Sequence, residues 1–266
     1  MKLRAPAVPL ITIDPYFSIW SMNDKLNDDV THHWTGKQQR LTGILEIDGE
    51  YSCFMGQSEY NRMKQEKVEI DALSTKYVFT SDKVELTVNF LSPLLMDQLD
   101  ICSRPVSFIN TSIRSLDGNE HSYSITLIAD DELCLDEKGQ DDTEFSFGET
   151  DLFSWGRVGN VNQKLLNRSG DDLRIDWGHL YLAVKKDNHQ AIHLTQIPSE
   201  EDTETASGRL QLMINCPTAS SAEALIAIAY DDVKSIEYFG KHLDGLWKTE
   251  KTPDINNSNR RWVKGI

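Results

Sequence analysis

The strict alternation of apolar and polar residues in the segment Lys83–Leu91 is the feature that most constrains the fold of this chain. Successive side chains of a β-strand point to opposite faces of a sheet, whereas a helix would spread the same residues around its circumference. The run therefore predicts a strand with one buried and one wet face. The residues predicted to face inward are Val84, Leu86, Val88 and Phe90, and those predicted to face water are Glu85, Thr87 and Asn89.

A second alternating run starts after Arg40 and ends at a turn signal. Leu41, Gly43, Leu45 and Ile47 alternate with their neighbours, and Asp48-Gly49 follows directly. Asp-Gly is one of the preferred sequences for a two-residue hairpin turn. The pattern predicts a hairpin that returns through Tyr51–Met55.

The remaining strand predictions follow from short apolar or alternating runs between turn residues. Val106–Ile113 and Ser122–Ile128, joined by the turn signal Asp117–Asn119, are predicted as two strands and a turn. The other predicted strands are Glu66–Ala72, Lys76–Thr80, Leu173–Trp177, Leu180–Val184, Gln190–Thr195, Leu210–Ile214 and Ala222–Tyr230.

Prolines make the N-terminal segment extended. Pro9 and Pro15 each remove a backbone donor and push the preceding residue toward extended angles, which excludes a regular helix through Leu10–Ile13. Apolar side chains then occur on both faces of the stretch around Phe17 and Trp20. We therefore predict a strand that is covered on two sides.

Polar, glycine-containing segments are predicted to be loops, and one late segment is predicted to be helical. Asp130–Thr150 and Gly156–Asp172 are expected to be long loops at the rim, and Ser199–Gly208 a solvated loop. An acidic cap at Asp231 or Asp232 precedes apolar residues at helical spacing, namely Val233, Ile236, Phe239, Leu243 and Leu246. The predicted fold class is all-β: a large antiparallel β-sandwich with a short C-terminal helix.

The charge balance narrows the range of partners. The chain has 27 Lys and Arg against 42 Asp and Glu, a formal net charge of −15. Nucleic acids and anionic membranes both require a basic surface, so we expect neither as a partner. No segment approaches the length of a membrane span, and MKLRAPAVPL lacks the apolar core of a signal peptide.

Cysteine and histidine spacing predicts neither a metal nor a cofactor. The four cysteines are far apart and apolar residues flank each of them, so buried free thiols are favoured, with disulfides left open; they are Cys53, Cys102, Cys134 and Cys216. His189 and His193 share a face, but no third ligand accompanies them.

Several segments resemble one known family in the same order. DPYFSIWS, HWTGK, TGILEIDGEYSCFMG, LTVNFLSPLLMDQLDICSRPVSFI, IRSLDGNEH, DDLRIDWGHLYLAV and AIAYDDVKSIEYFGKHLDGLW are similar to the glutaminase A-like family. The resemblance covers residues 4 to about 247. We divide the chain into a family-signature segment (1–62) that belongs to the same sandwich, a main sandwich (63–247) and a divergent tail (248–266).

The resemblance implies more than the residue patterns do. Members of this family are extracytoplasmic proteins named for the hydrolysis of L-glutamine to L-glutamate and ammonia. The resemblance implies that their N-terminal half is β-rich, with a sandwich of the super-sandwich type. A helical half like the α/α toroids of glycoside hydrolases is expected to follow it. This chain is then expected to be the non-catalytic N-terminal part, secreted or periplasmic, that braces a helical catalytic domain and is able to form a homodimer when free.

No catalytic residue is assigned from motifs. The sequence has no Ser-x-x-Lys, no Gly-x-Cys-x-Gly and no Gly-x-Ser-x-Gly, which are devices that activate a nucleophile in other hydrolases. His32 and His33 point to opposite faces of an extended chain, so at most one serves a given site. His33 and Trp34, inside HWTGK, are the candidate binding residues, with a structural hydrogen bond as the other interpretation of His33.

A carbohydrate-binding module, with a small-molecule or glycan ligand, is the alternative function. It would need an exposed aromatic platform, which could be formed from Trp20, Trp34, Trp155 and Trp177. Trp155, beside a glycine-rich loop, is the candidate for an exposed member of this platform. Acidic pairs that could serve glycoside chemistry are interpreted as solvated loops: Asp130-Asp131, Asp141-Asp142 and Asp171-Asp172. Glycosylation triplets begin at Asn110, Asn167 and Asn256.

Overall fold

The computed structural model describes residues 5–187, 189–200 and 204–248, and in these ranges the fold is an all-β sandwich. A six-stranded sheet in the order β14-β15-β10-β3-β4-β5 faces an eight-stranded sheet in the order β11-β12-β13-β16-β9-β8-β7-β6. All neighbours are antiparallel except the short parallel pair β4 and β5. One apolar core draws residues from both sheets, for example Leu45 and Leu127 from the smaller sheet and Leu86 and Ile228 from the larger.

The strands of the first half are β1 (Val8–Asp14), β2 (Phe17–Ser21), β3 (Leu41–Ile47), β4 (Glu50–Met55), β5 (Asn61–Arg62), β6 (Lys64–Ile70), β7 (Ser74–Thr80), β8 (Val84–Leu91) and β9 (Val106–Ser115). Those of the second half are β10 (His121–Asp130), β11 (Thr143–Glu149), β12 (Phe153–Asn160), β13 (His179–Lys185), β14 (Ala191–Pro198), β15 (Gly208–Ala219), β16 (Ser221–Asp231), β17 (Ile236–Tyr238) and β18 (Lys241–Leu243). Helical structure is limited to one α-turn, α1 (Leu99–Cys102), and a 3₁₀ turn, Asp131–Cys134, within the described ranges. Neither is long and apolar enough to cross a bilayer.

Two sequence predictions of strands are confirmed in detail. Burial along β8 alternates at every residue, with the predicted apolar set facing the core. The hairpin β3-β4 turns at Asp48 and Gly49, whose φ angles of 52° and 86° are those of a two-residue hairpin turn. In both places the structure agrees with the pattern of the local sequence.

The N-terminal extended segment is two strands rather than one. β1 and β2 pair with each other, and the chain reverses at Pro15 and Tyr16. The Asp14 carboxylate accepts hydrogen bonds from the backbone N–H groups of Tyr16 (2.7 Å) and Phe17 (3.0 Å), which closes the turn. Phe17 is fully buried, and its ring centroid lies 4.4 Å from that of Tyr230.

Val106–Ile113 and Ser122–Ile128 are two strands joined by a turn, as predicted, but they do not pair with each other. β9 pairs with β8 and β16 in the larger sheet, while β10 pairs with β3 and β15 in the smaller one. The turn between them crosses from one sheet to the other. His121 fixes this crossing, because its Nδ1 lies 2.7 Å from Asp48 Oδ2 and its Nε2 lies 3.1 Å from Asp117 Oδ1.

The two predicted rim loops each contain a strand, so those predictions are wrong in part. β11 lies within 130–150, and β12 overlaps the start of 156–172. Their glycines allow close packing, since a Cβ on Gly148 would lie 2.4 Å from the ring of Trp155. The predicted strand Leu173–Trp177 is instead irregular, and its polar side chains Arg174 and Asp176 form ion pairs.

The predicted C-terminal helix is wrong. β17 and β18 form a short hairpin over this segment, with positive φ angles at Phe239 (47°) and Gly240 (74°). Val233 also has a positive φ of 60°, which a helix does not allow. The apolar residues of this segment, which have helical spacing in the sequence, therefore do not form one face of a helix and are largely exposed to water.

Protonation of His121 should make stability depend on pH. Hydrogen bonds to Asp48 and Asp117 raise the pKa of His121. The hydrogen bond from His121 lowers the pKa of Asp48, and hydrogen bonds from Asn119, together with the one from His121, lower the pKa of Asp117. The raised pKa of His121 stabilises the fold below the unfolded-state pKa of about 6.5, and this stabilisation is lost as the pH rises through the folded-state pKa. The lowered pKa values of the two carboxyls stabilise the fold above about pH 4, and that stabilisation is lost as the pH falls further. Between about pH 4 and about pH 6.5, the free energy of unfolding of the His121→Gln variant should therefore lie furthest below that of the native chain.

Urea denaturation at several pH values measures this difference. His242→Gln, which changes an exposed histidine of the β17-β18 hairpin, is the matched control. A deficit of His121→Gln that grows above pH 8 would contradict the assignment of an imidazolium between two carboxylates.

Gly240→Ala distinguishes the hairpin from a helix. At φ 74° an added Cβ costs about 1 kcal/mol, whereas in a helix the same change would stabilise by a similar amount. We expect weaker cross-strand NMR contacts between the partners Ile236 and Leu243 in the variant. Helical Cα chemical shifts that strengthen on substitution would contradict the hairpin.

Candidate functional site

Four of the segments that carry the family resemblance meet at one end of the sandwich. This end, here named the motif end, comprises the β1-β2 turn at 14–17, the loops 33–37, 136–140 and 161–178, and the segment 231–237. It contains a cavity of about 510 Å³, a volume typical of small-molecule sites. The lining of this motif-end cavity includes Asp14, Tyr16, Arg168, Trp177, Asp232 and Glu237.

His33 is fully buried at this end and both of its ring nitrogens are engaged. Nε2 lies 3.0 Å from the carbonyl oxygen of Pro15, and Nδ1 lies 3.0 Å from Thr35 Oγ1. A carbonyl can only accept, so Nε2 carries the proton and Nδ1 accepts from the Thr35 hydroxyl. Burial lowers the pKa of His33 to about 4, which keeps the ring neutral. The geometry is that of a structural hydrogen bond.

Trp34 is the exposed partner of His33 in the same motif. Its Nε1 donates to the Pro15 carbonyl at 2.6 Å, while 46% of the residue remains accessible to water. The Pro15 carbonyl thus receives hydrogen bonds from two successive side chains, which pins the loop 33–37 to the β1-β2 turn. Of the three candidate binding residues, the structure brings His33 and Trp34 together.

Trp155 lies elsewhere, in β12 on the outer face of the larger sheet. It is half-buried in a second apolar cluster, with its ring centroid 5.9 Å from that of Tyr181. Phe108 and Trp247 belong to the same cluster. Its surroundings are those of a packed side chain, and it is not part of the motif-end cavity lining.

A network of ion pairs around the buried Arg174 joins the loops of the motif end. The side chain of Arg174 is 2% exposed, and its Nη2 lies 2.6 Å from Asp136 Oδ1. Arg168 donates to both Asp136 (2.9 Å) and Asp176 (2.6 Å). Nη1 of Arg174 also donates to Thr35 Oγ1 at 3.2 Å, which links the network to the His33 loop. Buried charges with this many partners fix loop positions more than they add stability.

Acidic groups dominate the cavity wall. Burial raises the pKa of Asp14 to about 6, against the opposing effect of its two backbone hydrogen bonds, and the charge of Asp232 adds to the increase. Burial also raises the pKa of Asp232. Trp177 is buried, and its indole N–H has no hydrogen-bond partner among the residues that the structure describes. The cavity wall thus combines buried carboxyls of raised pKa with the guanidinium of Arg168.

The acidic pair Asp130-Asp131 is not the solvated loop that the sequence suggested. Both carboxylates are buried and contact Nζ of Lys138, with the Asp131 contact at 3.0 Å. Asp131 also accepts from Thr143 Oγ1 at 2.8 Å, and neighbouring Glu132 accepts from Arg40. These groups are committed to structural contacts. Asp171 and Asp172 are exposed, as interpreted from the sequence.

The other candidates are dispersed. His193 lies on β14 and His189 just before it, and no three His, Cys, Asp or Glu side chains group as metal ligands in the part of the chain that the structure describes. Trp20 is half-buried in β2. Asn110 and Asn167 are exposed, and Asn256 and most of the tail 248–266 lie outside the described residues.

Sequence reasoning missed the residues that build this end. Asp14, Arg168, Arg174 and Asp176 were not singled out, although two of them stand in the motif DDLRIDWGH. The alternation of Arg and Asp between apolar residues in that motif is a signal of buried ion pairing. It was interpreted as a strand instead.

Comparison with known proteins gives family matches over most of the chain. Residues 73–262 match the family described as "Domain of unknown function (DUF5127)", and residues 1–65 match "Domain of unknown function (DUF4964)". Glutaminase A of Aspergillus oryzae (strain ATCC 42149 / RIB 40) is 26% identical over 192 residues, which are 68% of this chain and 27% of that protein. The chain thus spans about a quarter of the length of this curated relative.

One solved structure with a similar arrangement is the heparan sulfate lyase HepC from Pedobacter heparinus. It aligns over 70% of this chain and 23% of its own, with a TM-score of 0.39 and 8% sequence identity. The resemblance to glutaminase A-like proteins is confirmed by the sequence matches, not by this alignment. Because a single family match covers more than half of the chain, this protein belongs to the family described as "Domain of unknown function (DUF5127)".

Proposed function

We propose that this chain is the non-catalytic β-sandwich part of a glutaminase A-like protein, in which it braces a helical catalytic domain. The reaction proposed for the whole protein is hydrolysis of L-glutamine to L-glutamate and ammonia, and the proposed location is extracytoplasmic. The observation that carries the proposal is an exposed apolar hairpin beside the motif-end cavity.

The hairpin exposes large apolar side chains that a free domain leaves uncovered. Phe239 is 89% exposed, Leu246 is 67% exposed and Tyr238 is 60% exposed. Contiguous exposed apolar groups of this size are typical of interaction sites. Glu237, on the same hairpin, lines the motif-end cavity, so hairpin and cavity form one continuous surface. A second domain that covers this surface would bury both.

Trp247 ties the far end of this surface to the sandwich. It is buried in the apolar cluster on the outer face of the larger sheet, beside Phe108 and Tyr181. Lys248 Nζ lies 2.6 Å from Asp231 Oδ1, at the point where β16 ends. The hairpin is therefore held at both of its ends, as expected for a preformed docking element.

The chemical state of the reactive side chains supports a non-catalytic role. Burial raises the pKa of Cys53 and Cys216, and raises that of Cys134 to about 12, so these thiols are protonated at neutral pH. A nucleophilic cysteine needs the opposite shift. His33 is neutral with both nitrogens engaged, and Asp131 is held by Lys138.

Glutamine turnover tests the absence of catalysis. The purified chain is expected to release ammonia from L-glutamine no faster than a heat-inactivated sample, because Cys53, Cys134, Cys216 and His33 are not in reactive states. A coupled glutamate dehydrogenase assay follows the product. Turnover above that control, if it is lost on His33→Asn, would overturn the non-catalytic assignment.

Self-association tests the docking surface. The free chain is expected to form dimers at high concentration through the uncovered hairpin, and more strongly at high salt, because salt screens the repulsion between chains of net charge −15. Phe239→Ser should weaken the association by roughly ten- to a hundredfold, since burying a phenylalanine contributes about 1.5–3 kcal/mol. Analytical ultracentrifugation measures the dissociation constant.

Leu116→Ser is the matched control, because it removes a 45% exposed apolar side chain from the turn at which the chain crosses between the sheets. It should leave the association unchanged. An effect of Leu116→Ser equal to that of Phe239→Ser would show general stickiness and would contradict a defined docking surface.

A further inference from the structure

A groove crosses the outer face of the six-stranded sheet, away from the motif end. Its floor consists of side chains that point away from the core on three neighbouring strands. In register across the sheet, one row is Thr42, Ile128 and Gln211, and the next is Ile44, Thr126 and Met213. Polar and apolar groups therefore alternate in both directions over this floor.

The walls of this sheet groove rise well above its floor. Ile44 and Thr126 point outward but are each only 7% exposed. On one side stand Tyr51 and Tyr60, whose rings are stacked with centroids 5.0 Å apart and planes 21° from parallel. Arg209 and Gln57 complete the rim of a space of about 380 Å³.

The groove continues past its first section. An adjoining space of about 160 Å³ shares Thr42, Ile128 and Arg209 and extends to Gln38 and Arg40. The whole channel is therefore elongated, with side-chain amides, hydroxyls and guanidinium groups along its length. An elongated guest that offers many hydrogen-bonding groups would fit it.

The guanidinium groups along the groove are compensated, and the rim also carries the carboxylate of Glu59. Arg209 contacts the carboxylate of Glu200 and donates from Nε to the Pro198 carbonyl at 2.9 Å. Arg40 pairs with Glu132 at 2.9 Å. Neither guanidinium is left as an uncompensated charge, which favours a neutral ligand over an anionic one.

Recognition in the groove has to come from side chains. The floor strands β3, β10 and β15 each pair on both sides, so their backbone groups are used within the sheet. This disfavours an added peptide strand, which binds through main-chain groups at a sheet edge. Stacked aromatic rings beside amides and hydroxyls instead match the apolar faces and hydroxyl edges of sugar rings.

We propose that the sheet groove binds a neutral oligosaccharide, with a sugar ring stacked on the Tyr51-Tyr60 pair and its hydroxyls bonded by Gln57, Gln211 and Arg209. This site differs from the platform at Trp155 suggested by the sequence. It is also separate from the motif end, so it goes beyond the bracing role, and either proposal can fail without the other.

Isothermal titration with cellohexaose, maltohexaose, xylohexaose and mannohexaose tests the site on the full chain. At least one of them is expected to bind with a dissociation constant of about 0.1–1 mM. Tyr60→Ala should weaken this binding about tenfold through loss of the stacking surface, while Tyr60→Phe should retain it. Gln211→Ala, on the floor, should also weaken binding.

Tyr238→Ala is the control, because it removes an exposed tyrosine from the hairpin at the other surface. Thermal unfolding of each variant verifies that it is folded, and Tyr60→Phe separates lost stacking from lost structure. The proposal is overturned if none of the four sugars binds at about 10 mM. It is equally overturned if Tyr60→Ala binds as Tyr238→Ala does, or if only Trp155→Ala abolishes binding.

Discussion

The motif end depends on the contacts that the buried guanidinium of Arg174 makes. This guanidinium holds the Asp136 carboxylate at 2.6 Å and reaches Thr35 in the loop that carries His33. Arginine suits this position because its planar donors satisfy several acceptors at once and its charge is not lost on burial. These contacts link the loops 33–37, 136–140 and 161–178 to one another, and the ion pairs of Arg168 with Asp136 and Asp176 reinforce that link.

The sandwich beneath this end is the frame that carries its loops. Its two sheets share one apolar core, and His121 holds the strand that crosses from one to the other. On this frame the chain presents two different surfaces: the acidic, partly apolar motif end with its hairpin, and the sheet groove lined by tyrosines, amides and charged side chains. We propose that a neighbouring domain covers the first and that a sugar ligand binds to the second.

Local pattern was sufficient for the regular parts of the fold. The alternation in β8 and the Asp48-Gly49 turn define a strand and a hairpin from adjacent residues alone, and both were predicted. Where long-range contacts decide the structure, prediction failed. The glycines of β11 and β12 suggested loops because their role, a close approach to the facing Trp155 and Phe147, becomes visible only when the two strands pair.

The same distinction applies to the site. Apolar residues after Asp231 have helical spacing, yet the positive φ of Val233 and the Phe239-Gly240 turn produce a hairpin whose apolar groups face outward. Burial of Asp131 depends on Lys138, Thr143 and the backbone of Gly208, which the sequence does not mark as neighbours. His33 was identified within its motif, but only the structure reveals that Pro15 and Thr35 use both of its nitrogens.

Hydrogen–deuterium exchange of this chain, alone and with the separately produced helical domain of a glutaminase A-like protein, tests the central proposal most directly. Our account predicts that added protection is confined to the hairpin around 236–246, the loop 161–178 and the β1-β2 turn. Protection of the six-stranded sheet face instead, or no added protection at the motif end when a complex forms, would contradict it.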